Sequence, residues 1–155
     1  MSNPTFDMGE NRRKILIVDD EDILCRLYSL ELSDWGYEVV TTTDGVHAME
    51  AIQRYKPDVV VLDIRVGDCD GLELLQTIRN RYYNTPVILH SAYSHYKYDP
   101  RSIAADYYVV KRSDLTELKA RIGQALESAS QHEIHFDTVI MEGGGREQTR
   151  HSVSG

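Results

Sequence analysis

The sequence predicts an α/β fold, a doubly wound five-stranded parallel sheet in the flavodoxin-like order 2-1-3-4-5. Three observations carry this. Short apolar runs of strand length alternate with longer amphipathic stretches along the chain. Val59-Val60-Val61-Leu62 is apolar at every position, as a central strand covered on both faces must be. Polar residues end the runs at Asp19, Asp63, Ser91 and Lys111, where open α/β sheets bind ligands. The 155 residues suit one domain with one core.

Residues 1–13 are polar and unpatterned and read as a loose leader. Lys14 to Val18 is the first strand, followed by Asp19-Asp20-Glu21. A helix runs from about Asp22 to Trp35, with Ile23, Leu27 and Leu30 on one face and Gly36 as its stop signal. Tyr37 to Thr42 alternates weakly and is β-branched, so it reads as an edge strand. Asp44-Gly45 opens a second helix carrying Val46, Met49 and Ile52. Pro57 closes that unit, and the central strand ends on Asp63 before a loop-like stretch, Gly67 to Gly71. Gly71 to Arg81 is a helix with Leu72, Leu75 and Ile78 inward. Val87 to His90 and Asp106 to Val110 are the fourth and fifth strands. Ser113-Asp114 caps a last helix with Leu115, Leu118, Ile122 and Leu126 on one stripe.

The fourth helix is the weak one. Pro100 disfavours the helical region at Asp99 and removes a backbone donor, whereas Asp99 as cap with Pro100 at the first helical position is a good start signal. The expectation is a loop or single turn over Tyr93 to Tyr98, then a short helix from Pro100 to about Ala105. That loop brings Tyr93, Tyr96 and Tyr98 near Tyr108. Such tyrosines suit partner contact, and equally suit covering a shortened core.

A formal charge of −8 argues against direct nucleic-acid binding through this domain. The sequence shows neither a membrane-length apolar run nor a signal-peptide core, so a cytoplasmic protein is expected. Two cysteines make neither a disulfide framework nor a zinc site; Cys25 reads as core, and Cys69 lies in the loop after Asp63. The domain is expected over 14–129 and a largely flexible extension over 130–155. In the extension, Ile134 to Met141 could pack on the domain or bind a partner, and His132 and His135 have a spacing a helix could use for metal.

In the order 2-1-3-4-5, strands one and three are neighbours, so Asp19, Asp20 and Asp63 enter one crevice. Three crowded carboxylates repel unless a cation binds, and hard oxygen ligands that leave room for water favour Mg²⁺. The first loop is Asp-Asp-Glu with no glycine cradle, which argues against a nucleotide or flavin phosphate held by backbone amides. Lys111 supplies a point charge for a phosphoryl oxygen and Ser91 a hydroxyl for another. Together these groups suit phosphoryl transfer onto a carboxylate. Singly, Asp19 and Asp63 could be caps, Ser91 a loop residue and Lys111 a solvated charge.

From about Lys14 to Ala129 the chain resembles the receiver domain of two-component response regulators. The motifs that carry this are Ile15-Leu16-Ile17-Val18-Asp19-Asp20-Glu21, Val59-Val60-Val61-Leu62-Asp63 with Asp70-Gly71 downstream, Ser91-Ala92, and Tyr108-Val109-Val110-Lys111. The resemblance implies that Asp63 accepts a phosphoryl group from a histidine kinase or phosphotransfer protein. It implies Mg²⁺ bound by Asp20 and Asp63, with Asp19 often acting through water and the backbone carbonyl of Arg65 as a further ligand. Lys111 would pair with the phosphoryl group. Ser91 and Tyr108 would be the switch pair, presenting a changed face to a downstream protein or to a second copy. Arg65 and Tyr93 would flank the pocket. Such a domain is no enzyme beyond its own phosphorylation and dephosphorylation. Val66-Gly67 stands where the family usually has Met-Pro, and Arg112 where it has a proline preceded by a cis bond; before a non-proline residue that bond costs about 2.5–4 kcal/mol.

Three other readings compete. A receiver-like scaffold that binds without phosphorylation is disfavoured by the complete Asp/Asp/Asp/Ser/Lys set. A flavodoxin-type redox domain is disfavoured by the acidic first loop. A receiver fragment of a longer regulator stays open.

Overall fold

A computed structural model describes residues 12–130. The remainder of the expected leader, the extension from 131 with Ile134 to Met141, and both His132 and His135 lie outside the described residues.

Five parallel strands form one sheet: β1 (Lys14–Val18), β2 (Glu38–Thr42), β3 (Val59–Leu62), β4 (Val87–Ser91) and β5 (Tyr107–Val110). Their order is β2-β1-β3-β4-β5, as the sequence predicts. Register sets Val18 beside Leu62 and Leu89 beside Leu62, so the carboxyl ends of the three central strands are level. Every residue of β3 is buried, because helices cover both faces.

The helices are α1 (Asp22–Asp34), α2 (Ala48–Tyr55), α3 (Gly71–Arg81) and α4 over 116–130. One face of the sheet packs Ile15, Ile17 and Val61 against Tyr28, Leu32, Leu118 and Ile122. The other packs Leu16, Val18, Val60 and Leu62 against Ile52, Leu72, Leu75 and Ile78. Strand side chains alternate in direction, so one apolar run feeds both cores. Leu115, Leu118, Ile122 and Leu126 are buried as expected, and Asp114 Oδ1 accepts from the Thr116 amide at 3.1 Å.

Two helix faces differ from expectation. On α1 the buried residues are Cys25, Tyr28 and Leu32, while Ile23 (80%), Leu27 (42%) and Leu30 (69%) are exposed. This helix carries two apolar stripes, and both satisfy a 3.6-residue period. A three-residue loop from β1 and the bond from Cys25 Sγ to the Asp19 carbonyl, 3.3 Å, turn the Cys25 stripe inward. Val46 is likewise exposed, because Gly45–His47 forms a 3₁₀ turn before α2 and faces it outward. Asp44 caps that turn through the Val46 amide at 2.9 Å.

Between β4 and β5 there is no α-helix. A 3₁₀ turn over His95–Tyr98 leads to a second over Pro100–Ala104, with Asp99 as its cap and Pro100 at its start. The expected turn and short helix are both present, the latter wound as 3₁₀. Unforeseen is a small hairpin after Asp63, Arg65–Val66 against Cys69–Asp70, turned at Gly67-Asp68 with Gly67 at φ +62°. Gly-Asp between short extended runs was its signal. The described residues contain no cis peptide bond, including the one before Arg112.

Candidate functional site

The residues expected at the site come from the carboxyl ends of β1, β3, β4 and β5. Asp19 and Asp20 follow β1, Asp63 follows β3, Ser91 ends β4 and Lys111 follows β5. Carboxylate oxygens of Asp19, Asp20 and Asp63 lie within 4.8 Å of one another. Asp19 is buried, Asp63 partly buried and Asp20 exposed, so the cluster opens to solvent on the Asp20 side.

Lys111 binds the cluster from one side. Its Nζ lies 2.7 Å from Asp19 Oδ2, 2.9 Å from Asp63 Oδ2 and 3.6 Å from Glu21 Oε1. Burial works against the ammonium, but its hydrogen bonds to Asp19 and Asp63 outweigh this and hold its pKa above the ordinary lysine value. Burial raises the pKa of Asp63; Lys111 opposes the rise and Asp19 adds to it. Asp63 Oδ1 accepts from the Ile64 amide at 2.7 Å. Asp19 Oδ1 accepts from the Glu21 amide at 3.0 Å. One lysine therefore bonds two of the three clustered carboxylates. This set of hard oxygen donors, partly open to water, fits Mg²⁺.

The hairpin walls the pocket. The Gly67 amide donates to Asp20 Oδ2 at 3.0 Å, a contact the sequence reading missed by taking Gly67 as loop. Arg65 lies in this hairpin, and its Nη2 donates to the Tyr96 hydroxyl at 3.1 Å. The contacts of Glu21 with Lys111 and of Tyr96 with Arg65 were also unforeseen, because each joins loops distant in sequence.

Ser91 is buried at the end of β4, and its Oγ accepts from the Tyr93 amide at 3.1 Å. The Tyr108 hydroxyl donates to the Tyr93 carbonyl. Ser91 and Tyr108 thus hold the two sides of one residue, Tyr93, whose ring is exposed and lies beside His95 and Tyr96. Cys25 is core, and burial, with Asp19 next, pushes its thiol up to about 11. Cys69 packs against Gly45, where an added Cβ would lie 2.7 Å from that of Cys69.

Fold and site define a flavodoxin-like domain with an acidic, cation-ready pocket and one lysine at the sheet's carboxyl edge. The family model for the response regulator receiver domain matches residues 15–123, and the chain belongs to that family. It is 36% identical over 119 residues to the regulatory protein AtoC of Escherichia coli, covering 76% of this chain and 26% of that protein. It is 33% identical over 145 residues to the transcriptional regulatory protein TrcR of Mycobacterium tuberculosis, covering 88% and 56%. The chain thus spans between a quarter and just over half of these relatives. Among solved structures, the response regulator TrrA of Thermotoga maritima in complex with Mg²⁺-BeF aligns with a TM-score of 0.71 at 39% identity, covering 74% of this chain and 99% of that one. TrrA in complex with the histidine kinase ThkA aligns at 0.70, with 39% identity and 74% and 98% coverage. No described helix is long and apolar enough to cross a membrane.

Proposed function

We propose that this chain is a phosphoacceptor receiver, with 14–129 as the working domain, that takes a phosphoryl group from a histidine kinase or phosphotransfer protein onto Asp63. The observation that carries the reading is the clustering of Asp19, Asp20 and Asp63 at neighbouring strand ends, with Lys111 bonded to Asp19 and Asp63. Asp20 and Asp63, with Asp19 and the Arg65 carbonyl, would hold Mg²⁺, whose charge would offset that of the incoming phosphoryl group. An Asp63 oxygen forms the new bond to phosphorus as the bond to the donor breaks. Lys111 already contacts Asp63 and neutralises charge that builds on the phosphoryl oxygens.

Ser91 turns toward the phosphoryl group, gives up the Tyr93 amide, and lets Tyr108 rotate inward. The tyrosine-bearing 3₁₀ segment then presents a different surface to a downstream protein or a second copy. Tyr93 and Arg65 flank this route.

The kinase docks on the apolar stripe of α1. Ile23, Leu27 and Leu30 are exposed on a helix that starts three residues after Asp19. Beside them a groove of about 370 Å³ is lined by Cys25, Arg26, Ser29, Leu30 and Thr41. An apolar face so close to the acceptor suits a donor helix that must deliver its histidine there. The complex of TrrA with ThkA supports a kinase partner for this chain too.

The test is incubation with acetyl phosphate and Mg²⁺ followed by intact mass. Wild type gains one phosphoryl group and Asp63→Asn gains none. Equal gain by Asp63→Asn would remove the acceptor assignment, and no gain by wild type would favour a scaffold that binds without phosphorylation.

A further inference from the structure

The hairpin after Asp63 and the 3₁₀ segment are tied together by two arginines. Arg65 Nη2 donates to the Tyr96 hydroxyl at 3.1 Å. Tyr96 is itself fixed: its carbonyl accepts from Ser102 Oγ at 2.7 Å and from the Asp99 amide at 3.0 Å. Its ring centre lies 4.2 Å from that of His95 and 6.1 Å from that of Tyr93. Arg101 makes the second tie, with Nη2 on Asp99 at 2.9 Å and Nη1 on Asp70 at 3.3 Å. Asp70 also caps α3, so the segment is locked to the hairpin's far strand. A cleft of about 350 Å³ between them is lined by Arg65, Asp68, Asp70, Tyr96 and Arg101.

The guanidinium of Arg65 is thus bonded to a tyrosine hydroxyl, although its residue lies only two positions from Asp63. Asp63 takes its hydrogen bonds from Lys111 and the Ile64 amide instead. A small phosphodonor is an anion approaching a Mg²⁺-loaded set of three carboxylates in which Lys111 is the one cationic side chain bonded to Asp63. A second cation at the mouth would attract it, and arginine binds phosphoryl oxygens with a two-pronged fork. A donor histidine on a docked protein is positioned by its own interface and gains little from that attraction.

We propose that Tyr96 is a positioning residue that withholds Arg65 from the Asp63 pocket and so disfavours small anionic phosphodonors relative to a protein donor. This rests on Asp63 being the phosphoacceptor. With acetyl phosphate, an Asp63 oxygen bonds to phosphorus while the bridging P–O bond breaks, and acetate leaves with the electron pair.

The experiment measures the phosphorylation rate of the 155-residue chain against acetyl phosphate concentration in Mg²⁺. The variants are Tyr96→Phe, Arg65→Ala and the double variant, with Tyr96→Leu as a second way to remove the hydroxyl. Tyr96→Phe is expected to lower the apparent KM roughly three- to tenfold with the saturated rate unchanged. The gain should vanish in the double variant and shrink at high salt. An unchanged KM in folded Tyr96→Phe and Tyr96→Leu overturns the proposal. So does an equal fall in KM without Arg65, because the hydroxyl would then act through something else. A wild type that takes no phosphoryl group at any concentration overturns the phosphoacceptor reading and this one with it.

Discussion

Gly71 opens α3 directly against the backbone of Asp63. A Cβ at Gly71 would lie 2.1 Å from the Asp63 carbonyl oxygen and 2.7 Å from Ile64 Cα, and the Gly71 amide donates to the Ile64 carbonyl at 2.6 Å. The loop that carries Asp63 is therefore shaped by a glycine eight positions downstream. Gly71→Ala is expected to push this backbone apart, lowering stability by about 2 kcal/mol and slowing phosphorylation of Asp63. Urea unfolding and intact mass check this, and a variant with wild-type values in both would show the contact to be soft.

His90 is 2% exposed, and its ring centre lies 5.4 Å from that of Tyr28 on α1. Burial, with the Lys111 charge second, pushes its pKa from 6.5 down to about 3. A base with a depressed folded pKa stabilises the fold above its unfolded pKa. That contribution is lost as pH falls from about 6.5 toward 3, because the unfolded chain takes the proton first. His90→Leu should remove this one-proton slope, about 1.4 kcal/mol for each pH unit in that window. Denaturant melts of both proteins from pH 7 to pH 4 decide it, and parallel curves would show that the imidazole is protonated equally in both states.

A docking role for the exposed stripe on α1 is testable apart from the chemistry. Leu30→Glu is expected to cut phosphotransfer from the cognate kinase at least tenfold while leaving phosphorylation by acetyl phosphate unchanged. Because Leu30 is exposed, stability should move by no more than about 0.5 kcal/mol. Unimpaired transfer from the kinase would place the docking face elsewhere.

Tyr93 is held on one side by Ser91 and on the other by Tyr108. Phosphorylation is expected to speed amide exchange at Tyr93 and change it across 93–98, with β3 unaffected. Exchange that stays the same across this segment would mean that Ser91 keeps its bond to the Tyr93 amide and the switch lies elsewhere.

The sequence by itself determined the sheet. Each of Lys14–Val18, Val59–Leu62 and Val87–Ser91 is apolar enough to be buried on both faces, and that property is local to the run. Alternation made the sheet parallel, and the order 2-1-3-4-5 expected at this size brings Asp19, Asp20, Asp63, Ser91 and Lys111 to one edge. Asp99-Pro100 likewise determined the broken fourth helix, because proline acts on its own neighbours. Tertiary structure decided what several local patterns allowed equally. On α1, Ile23-Leu27-Leu30 and Cys25-Tyr28-Leu32 both fit a helical period, and the short loop from β1 chose which faced the sheet. The bonds from Gly67 to Asp20 and from Arg65 to Tyr96 join residues 47 and 31 positions apart. Neither leaves a periodic trace, because a single hydrogen bond between loops constrains one atom on each and nothing in the residues around them.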